Sequence, residues 1–188
     1  MNIKNKMAIV LTIIFEIITI MFEFKSLKSG NSRDFLISIL VGICFLIPFM
    51  ISAIANRKKI LLPSGFNIVS ILFIFGTQYL GELRKFYTRY WWWDLLLHGV
   101  FGIYTVIISL NISQGIISKN QGTSQRRYKI LNKIYAFSFS VALGTIWEIF
   151  EYVGDYLFKT KMVKGGLEDT ATDLLVHLIT AFVTAVFK

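Results

Sequence analysis

The sequence predicts an all-α, polytopic integral membrane protein of about six transmembrane helices in one bundle. Of its 188 residues, 55% are hydrophobic, and the mean hydropathy is +0.62. The apolar residues gather in six stretches of about 17–22 residues, the length that a helix needs to cross the hydrocarbon. Charged residues separate these stretches, and only two prolines occur, so few helices should be interrupted. A soluble domain of this size has too little interior to bury so many apolar runs.

Each predicted span is bounded by polar or basic residues. The spans are residues 7–24, 35–55, 66–80, 94–112, 134–152 and 169–187. The first follows Lys4 and Lys6, contains Glu16 and has no small-x-small cleavage site, so we interpret it as a retained signal anchor. We divide the chain into two N-terminal spans, residues 1–65, and a four-span core, residues 66–188.

The net charge of +9 comes from Lys and Arg at the ends of the predicted helices. Basic residues there suit the lipid headgroups, so membrane lipids are the expected partners. No basic stripe with interleaved aromatic residues occurs, which argues against nucleic-acid binding. The polar link 113–133 is the longest, and we expect its basic end, residues 126–133, to form an interfacial turn. Cys44 is the sole cysteine, which excludes an intrachain disulfide.

The distribution of basic residues predicts a plasma-membrane protein with cytoplasmic termini. With six spans, the side that holds both termini carries 11 of the 20 Lys and Arg residues. In a Cys44→Ala background, a cysteine introduced at Gln121 should therefore react with a thiol reagent only from the cytoplasmic side. Reaction from outside intact cells would reverse this topology.

Ionisable residues line one face of each of the last three predicted helices. In chain order they are Asp94 and His98, then Glu148, Glu151 and Asp155, then Asp169, Asp173 and His177. The spacings of three or four residues keep each set on one side of its helix. Because successive spans alternate in direction, all three sets should lie in one leaflet, together with Gln78 and Glu82 at the end of the third span.

Several of these residues have structural explanations. Asp169 follows Gly165-Gly166, and Asp94 follows three tryptophans, so both are placed to cap a helix N-terminus. A buried histidine is more often a hydrogen-bonded packing residue than a ligand. The glycines Gly99, Gly102 and Gly144 suit close helix packing. Glu148, Asp173 and His177 are the ionisable residues that capping explains least.

A divalent cation is a chemically reasonable partner for this set. A charged side chain costs at least about 2.5 kcal/mol at the membrane centre, and Lys and Arg are absent from the interiors of the last three spans. The buried acids can therefore be stabilised by protonation, by polar partners, by water or by a bound cation. Carboxylates with imidazoles suit Zn²⁺, Mn²⁺ or Fe²⁺. The expected ligands are Asp94, His98, Asp169, Asp173 and His177, and Glu148 or Glu151 is the expected general base.

Three functions fit these residues. The first is a metal-assisted or acid/base enzyme acting on a lipid or lipid-linked envelope substrate. The second is a non-enzymatic carrier coupled to ions or protons, in which the acids relay protons or bind the coupling ion. The third is a structural or resistance-type envelope protein in which the polar residues serve helix packing.

Three motifs carry a family resemblance. They are Asp94-x-x-Leu97-His98-Gly99, then Trp147-Glu148-x-x-Glu151, then Gly166-x-x-Asp169-Thr170-x-x-Asp173-Leu174. Over about residues 66–188 this order resembles the YjdF-type family of predicted inner-membrane proteins, which implies an inner-membrane location. The order is also similar to that of VanZ-like proteins, although these commonly carry Asn where this chain has His177. The second similarity implies a cell-envelope or glycopeptide-resistance context.

Overall fold

The computed structural model describes residues 3–116, 123–158, 163 and 165–188, and every secondary-structure element in these ranges is helical. Six helical stretches within them are long and apolar enough to cross a membrane. These are Ile3–Lys28, Ser32–Arg57, Phe66–Leu83, Trp93–Gln114, Gln125–Leu157 and Leu167–Phe187. The all-α, multi-pass membrane fold is therefore confirmed.

By its internal contacts the chain forms two compact units, Met1–Trp93 and Asp94–Lys188. The third span thus packs with the first two, whereas the last three spans form a unit of their own. The first unit holds helices α1 (Ile3–Lys28), α2 (Ser32–Cys44), α3 (Ile47–Arg57), α4 (Phe66–Ile74) and α5 (Phe86–Arg89).

The predicted second span is two helices, α2 and α3. Pro48 lies in the first turn of α3, where it needs no backbone N–H partner. A continuous helix would bring the proline ring against the carbonyl of Cys44, four residues earlier, which is where α2 ends. Together α2 and α3 still have the length of one span.

The third span changes its helical winding partway. Helix α4 begins after Gly65, whose φ of 86° is left-handed. It continues as a π-helical segment, Phe75–Leu83. The segment ends near Lys85, which also has a left-handed φ of 58°. Hydrophobic periodicity predicts a span here, but it gives no sign of the π-helical winding.

Stacked aromatic rings form much of the core of the first unit. Phe75 from the π-helical segment stacks on Phe15 of α1 at a centroid distance of 4.0 Å and on Tyr79 at 4.9 Å. Phe45 and Ile71 are fully buried beside them. This packing fixes the π-helical segment against α1 and α2.

The second unit consists of α6 (Trp93–Ile116), α7 (Gln125–Phe158) and α8 (Leu167–Phe187). Helix α7 extends well beyond its predicted span, 134–152. The interfacial turn expected over residues 126–133 is therefore wrong, because these residues form the first turns of α7. Lys133 there donates a hydrogen bond of 2.7 Å to the Val186 carbonyl, which places a cation at the C-terminus of α8.

Two sequence predictions concern residues outside the described ranges. The topology probe position, Gln121, belongs to residues 117–122, which are not described. The same holds for Lys159, Lys161 and Lys164 of the last predicted loop.

Small residues let the three helices of the second unit approach closely. A β-carbon on Gly102 of α6 would lie 2.7 Å from the backbone oxygen of His177, and one on Gly144 of α7 would lie 2.9 Å from the His177 ring. Both glycines are therefore packing positions, as predicted. Ala136 and Ala181 are fully buried in the adjoining apolar cluster.

Candidate intramembrane metal site

The start of α6, the end of α7 and the start of α8 meet at one level of the second unit. His98 of α6 marks this level, because its Nε2 lies 3.5 Å from Oε1 of Glu148 on α7. The same nitrogen lies 3.8 Å from Oδ1 of Asp94, one turn earlier on α6. The predicted convergence of the three faces is thus present for these residues.

His98, Glu148 and Asp173 form one group able to hold a metal ion. One potential ligand atom from each residue lies within 4.8 Å of the others. The side chains are 4%, 5% and 2% exposed, respectively, so water has little access to them. Imidazole nitrogen and carboxylate oxygen are both ligands that zinc accepts in proteins.

Asp94, Asp169 and Asp173 form a second group by the same distance criterion. Asp94 and Asp169 are half-buried, so this group lies closer to the helix ends than the first. Asp173 belongs to both groups and joins them.

The first group lies well inside its helices rather than at their ends. Helix α7 ends at Phe158 instead of the predicted residue 152, so Glu148 lies about 15 Å from the helix end at 1.5 Å per residue. Asp173 lies about 9 Å beyond the start of α8. Glu148 and Asp173 therefore lie between one and three helical turns from the ends of their helices.

Two buried atoms at this level have no hydrogen-bond partner among the described residues, Oε1 of Glu148 and Nδ1 of His98. The carboxyl group of Glu148 does receive a hydrogen bond from the side chain of Thr170 on α8. An unsatisfied buried polar atom costs about 1–3 kcal/mol. Because Oε1 of Glu148 points at His98 Nε2 without bonding it, a cation between them would satisfy this oxygen.

His177 lies one turn deeper on α8 and is outside both groups, although the sequence predicts it as a ligand. Its Nε2 lies 2.9 Å from the Ser140 carbonyl and 3.1 Å from Ser140 Oγ. A carbonyl only accepts, so this contact places the imidazole proton on Nε2 and leaves Nδ1 as a buried acceptor. Ser140 Oγ also contacts the Thr105 hydroxyl on α6. The ligand role of His177 stays a prediction.

Glu151 and Asp155 continue the acidic face of α7 towards its end. Glu151 is buried and outside both metal groups, and its carboxyl group bonds the side chain of Trp147. Asp155 accepts a hydrogen bond of 3.0 Å from the backbone N–H of Val163. Asp155 therefore has a structural role, whereas the catalytic role of Glu151 stays a prediction.

Asp94 and Asp169 lie in the first turns of α6 and α8, as their placement at a helix N-terminus predicts. The N-cap of α8 is Gly166, so Asp169 lies inside the first turn, and α6 already begins at Trp93. Both carboxylates still benefit from the partial positive charge of a helix N-terminus. Both side chains are also members of the second group that could hold a metal ion.

Sequence reasoning missed the hydroxyl residues Ser140 and Thr105, and it named Thr170 only as part of a family motif. A signal for Thr105 was present in α6, where polar or small residues recur every three or four positions. The stripe comprises Asp94, His98, Gly102, Thr105, Ser109 and Ser113. Four of these side chains, all except Asp94 and the glycine, are buried.

A protein of Thermotoga maritima, named as uncharacterized, is 26% identical over 132 residues, which are 70% of this chain and 62% of that protein. The chain thus covers less than two-thirds of that relative. No solved structure matches the chain, and no match supports the resemblance to VanZ-like proteins.

A family of predicted membrane proteins, DUF2238, matches residues 7–188. The match agrees with the YjdF-type resemblance, but it also includes the first two spans, which the motifs alone do not reach. Because it covers nearly the whole sequence, the chain belongs to the DUF2238 family of predicted membrane proteins.

Proposed function

We propose that this protein is a divalent-metal-dependent membrane enzyme acting on a lipid or lipid-linked envelope substrate. The observation that carries the proposal is the buried group of His98, Glu148 and Asp173, whose ligand atoms lie within one ion's reach of each other. Buried ionisable residues in a membrane span are costly and tend to mark functional sites. Helices α6 and α8 contain no Lys or Arg, and the four basic residues of α7 lie within residues 126–133, at the opposite end of the helix from Glu148.

The residues divide into ligands and a base. Three protein ligands leave a tetrahedral ion one position for water or substrate, as in catalytic zinc sites. A bound ion would activate that water and stabilise negative charge that develops on the substrate. Glu151 lies on the face of α7 that carries Glu148, one turn nearer the helix end, and we assign it the role of general base.

The depth of the site favours a substrate that comes from the bilayer. Large apolar side chains of α7 and α8 remain exposed around the unit, among them Ile149, Leu175 and Ile179. These side chains suit contact with lipid tails. A reactive group carried on a lipid reaches a site one to three turns inside the spans without leaving the membrane.

The enzyme proposal is tested by product formation. Purified protein in nanodiscs of bacterial polar lipids is incubated with Mn²⁺ or Zn²⁺, and the lipids are analysed by mass spectrometry. We expect new lipid products that depend on the metal and disappear with a chelator. Lipids that stay unchanged with every extract and metal would contradict an enzymatic function.

Glu148→Gln should abolish the metal-dependent product and weaken metal binding by at least tenfold, because the amide retains the shape but loses the anionic ligand. The matched control is Glu168→Gln, which removes the same charge from an exposed position in the first turn of α8. The control should keep metal affinity and activity. Equal metal content and activity in Glu148→Gln would leave Glu148 as a packing residue.

A proton- or ion-coupled carrier is the second function that an observation favours. The polar stripe of α6 runs from Asp94 to Ser113, about 28 Å along the helix, close to the ~30 Å thickness of the hydrocarbon. Ser140 and His177 add buried polar groups beside its middle. Proton or metal flux into vesicles that hold the purified protein, without any lipid product, would favour the carrier over the enzyme.

A further inference from the structure

We propose that the site holds two divalent ions that share Asp173 as a bridging ligand. One ion takes His98, Glu148 and Asp173, and the other takes Asp94, Asp169 and Asp173. This inference rests on the metal binding of the proposed function and adds the number of ions and the assignment of ligands to each.

The two groups adjoin at a second point besides Asp173. Nε2 of His98, from the first group, lies 3.8 Å from Oδ1 of Asp94, from the second. Within each group the ligand atoms lie no more than 4.8 Å apart. Two ions that share one carboxylate at such a junction would be separated by about 3.5–4 Å, the distance in known two-metal sites.

Charge balance distinguishes one ion from two. The two groups together contain four carboxylates, from Asp94, Glu148, Asp169 and Asp173, and one imidazole. If the carboxylates are ionised and the imidazole is neutral, as metal ligands must be, a single divalent ion leaves two negative charges. Two divalent ions leave none. The two-ion state is therefore the one in which the charges of the ions and of these ligands balance.

The lack of a hydrogen bond at Oε1 of Glu148 is an observation independent of the acidic cluster. This oxygen is buried in a side chain that is 5% exposed, has no hydrogen-bond partner among the described residues and faces the His98 ring. A metal ion between Glu148 and His98 would explain why this oxygen has no hydrogen bond.

The donor sets of the two positions differ in hardness. The first position offers a nitrogen and carboxylate oxygens, which suit Zn²⁺, Mn²⁺ or Fe²⁺. The second offers only carboxylate oxygens, which suit Mg²⁺ or Mn²⁺. Both positions can bind Mn²⁺, so Mn²⁺ is the ion used to count the occupied positions.

The experiment counts Mn²⁺ bound to the full-length protein. Detergent-purified chain is stripped with a chelator, dialysed and titrated with Mn²⁺, and bound metal is measured by equilibrium dialysis. Electron paramagnetic resonance of the same samples reports whether two ions are magnetically coupled. We expect two Mn²⁺ per chain and a coupled spectrum.

Variants test which residues bind each of the two ions. His98→Ala, or His98→Gln if alanine destabilises the fold, should retain one uncoupled ion, and so should the double variant Asp94→Asn with Asp169→Asn. The control Glu168→Gln should keep two. One ion in the unmodified chain would overturn the two-ion centre and leave the proposed function intact, whereas none would overturn both. Two uncoupled ions would overturn the shared role of Asp173.

Discussion

Asp173→Asn should abolish tight metal binding, because Asp173 is the one residue that both groups contain. The amide occupies nearly the same volume, so helix packing at this 2% exposed position is preserved. Without Asp173 each position keeps only two ligands. At a metal concentration of 100 times Kd, the normal chain should gain about 2.7 kcal/mol of stability, and the variant should gain almost none.

The same substitution has an opposite expected effect without metal. In the stripped protein Asp173 is buried beside three other carboxyl groups with no ion to offset its charge, and the neutral amide removes the cost of burying that charge. Asp173→Asn should therefore unfold at a higher temperature than the normal chain in chelator and at a lower temperature with Mn²⁺. Thermal unfolding in detergent measures both. A variant that is less stable under both conditions, with unchanged metal content, would indicate a packing role for Asp173.

Gly102→Ala should destabilise the second unit by about 1–3 kcal/mol or more, the usual cost of overpacking. The added methyl would lie 2.7 Å from the His177 carbonyl oxygen and would also collide with the Thr180 hydroxyl. The carbonyl belongs to the backbone of α8 and cannot rotate away as a side chain can. Helices α6 and α8 must therefore separate at this level.

Gly99→Ala is the matched control for this prediction. It lies one turn earlier on α6, and its added methyl would lie 3.5 Å from Val176 and 3.6 Å from Thr180, which is ordinary contact. Because alanine also favours the helix over glycine by about 1 kcal/mol, this variant should be as stable as the normal chain or more stable. Equal unfolding temperatures for both variants would show that Gly102 is not a point of close approach.

The sequence predicts the six spans and the level of the site because both follow from simple periodicities. Apolar runs of membrane-spanning length identify the helices, and spacings of three or four residues place Asp94 with His98 and Asp169 with Asp173 on one face. The π-helical winding of Phe75–Leu83 has no comparable signal, since it depends on how the segment packs against α1 and α2.

The sequence predicted only in part which ionisable side chains lie close together. Periodicity places His177 on the face of α8 that carries Asp173. His177 lies a turn deeper, however, where its Nε2 contacts the Ser140 carbonyl oxygen. Membership of a ligand group depends on the relative rotation and depth of three helices, which the spacing within one helix does not determine. Glu148 was predicted as a base, and its position beside His98 and Asp173 is the reason that we propose it as a ligand instead.

The most direct test of the metal site is an experimental structure of the full-length protein crystallised with Zn²⁺ and measured at the zinc absorption edge. We expect an anomalous peak bound by His98 at about 2.0–2.1 Å and by carboxylate oxygens of Glu148 and Asp173 at about 2.0–2.2 Å. A map without a peak at this position, in which Glu148 and His98 bond each other or a water molecule, would contradict the metal site.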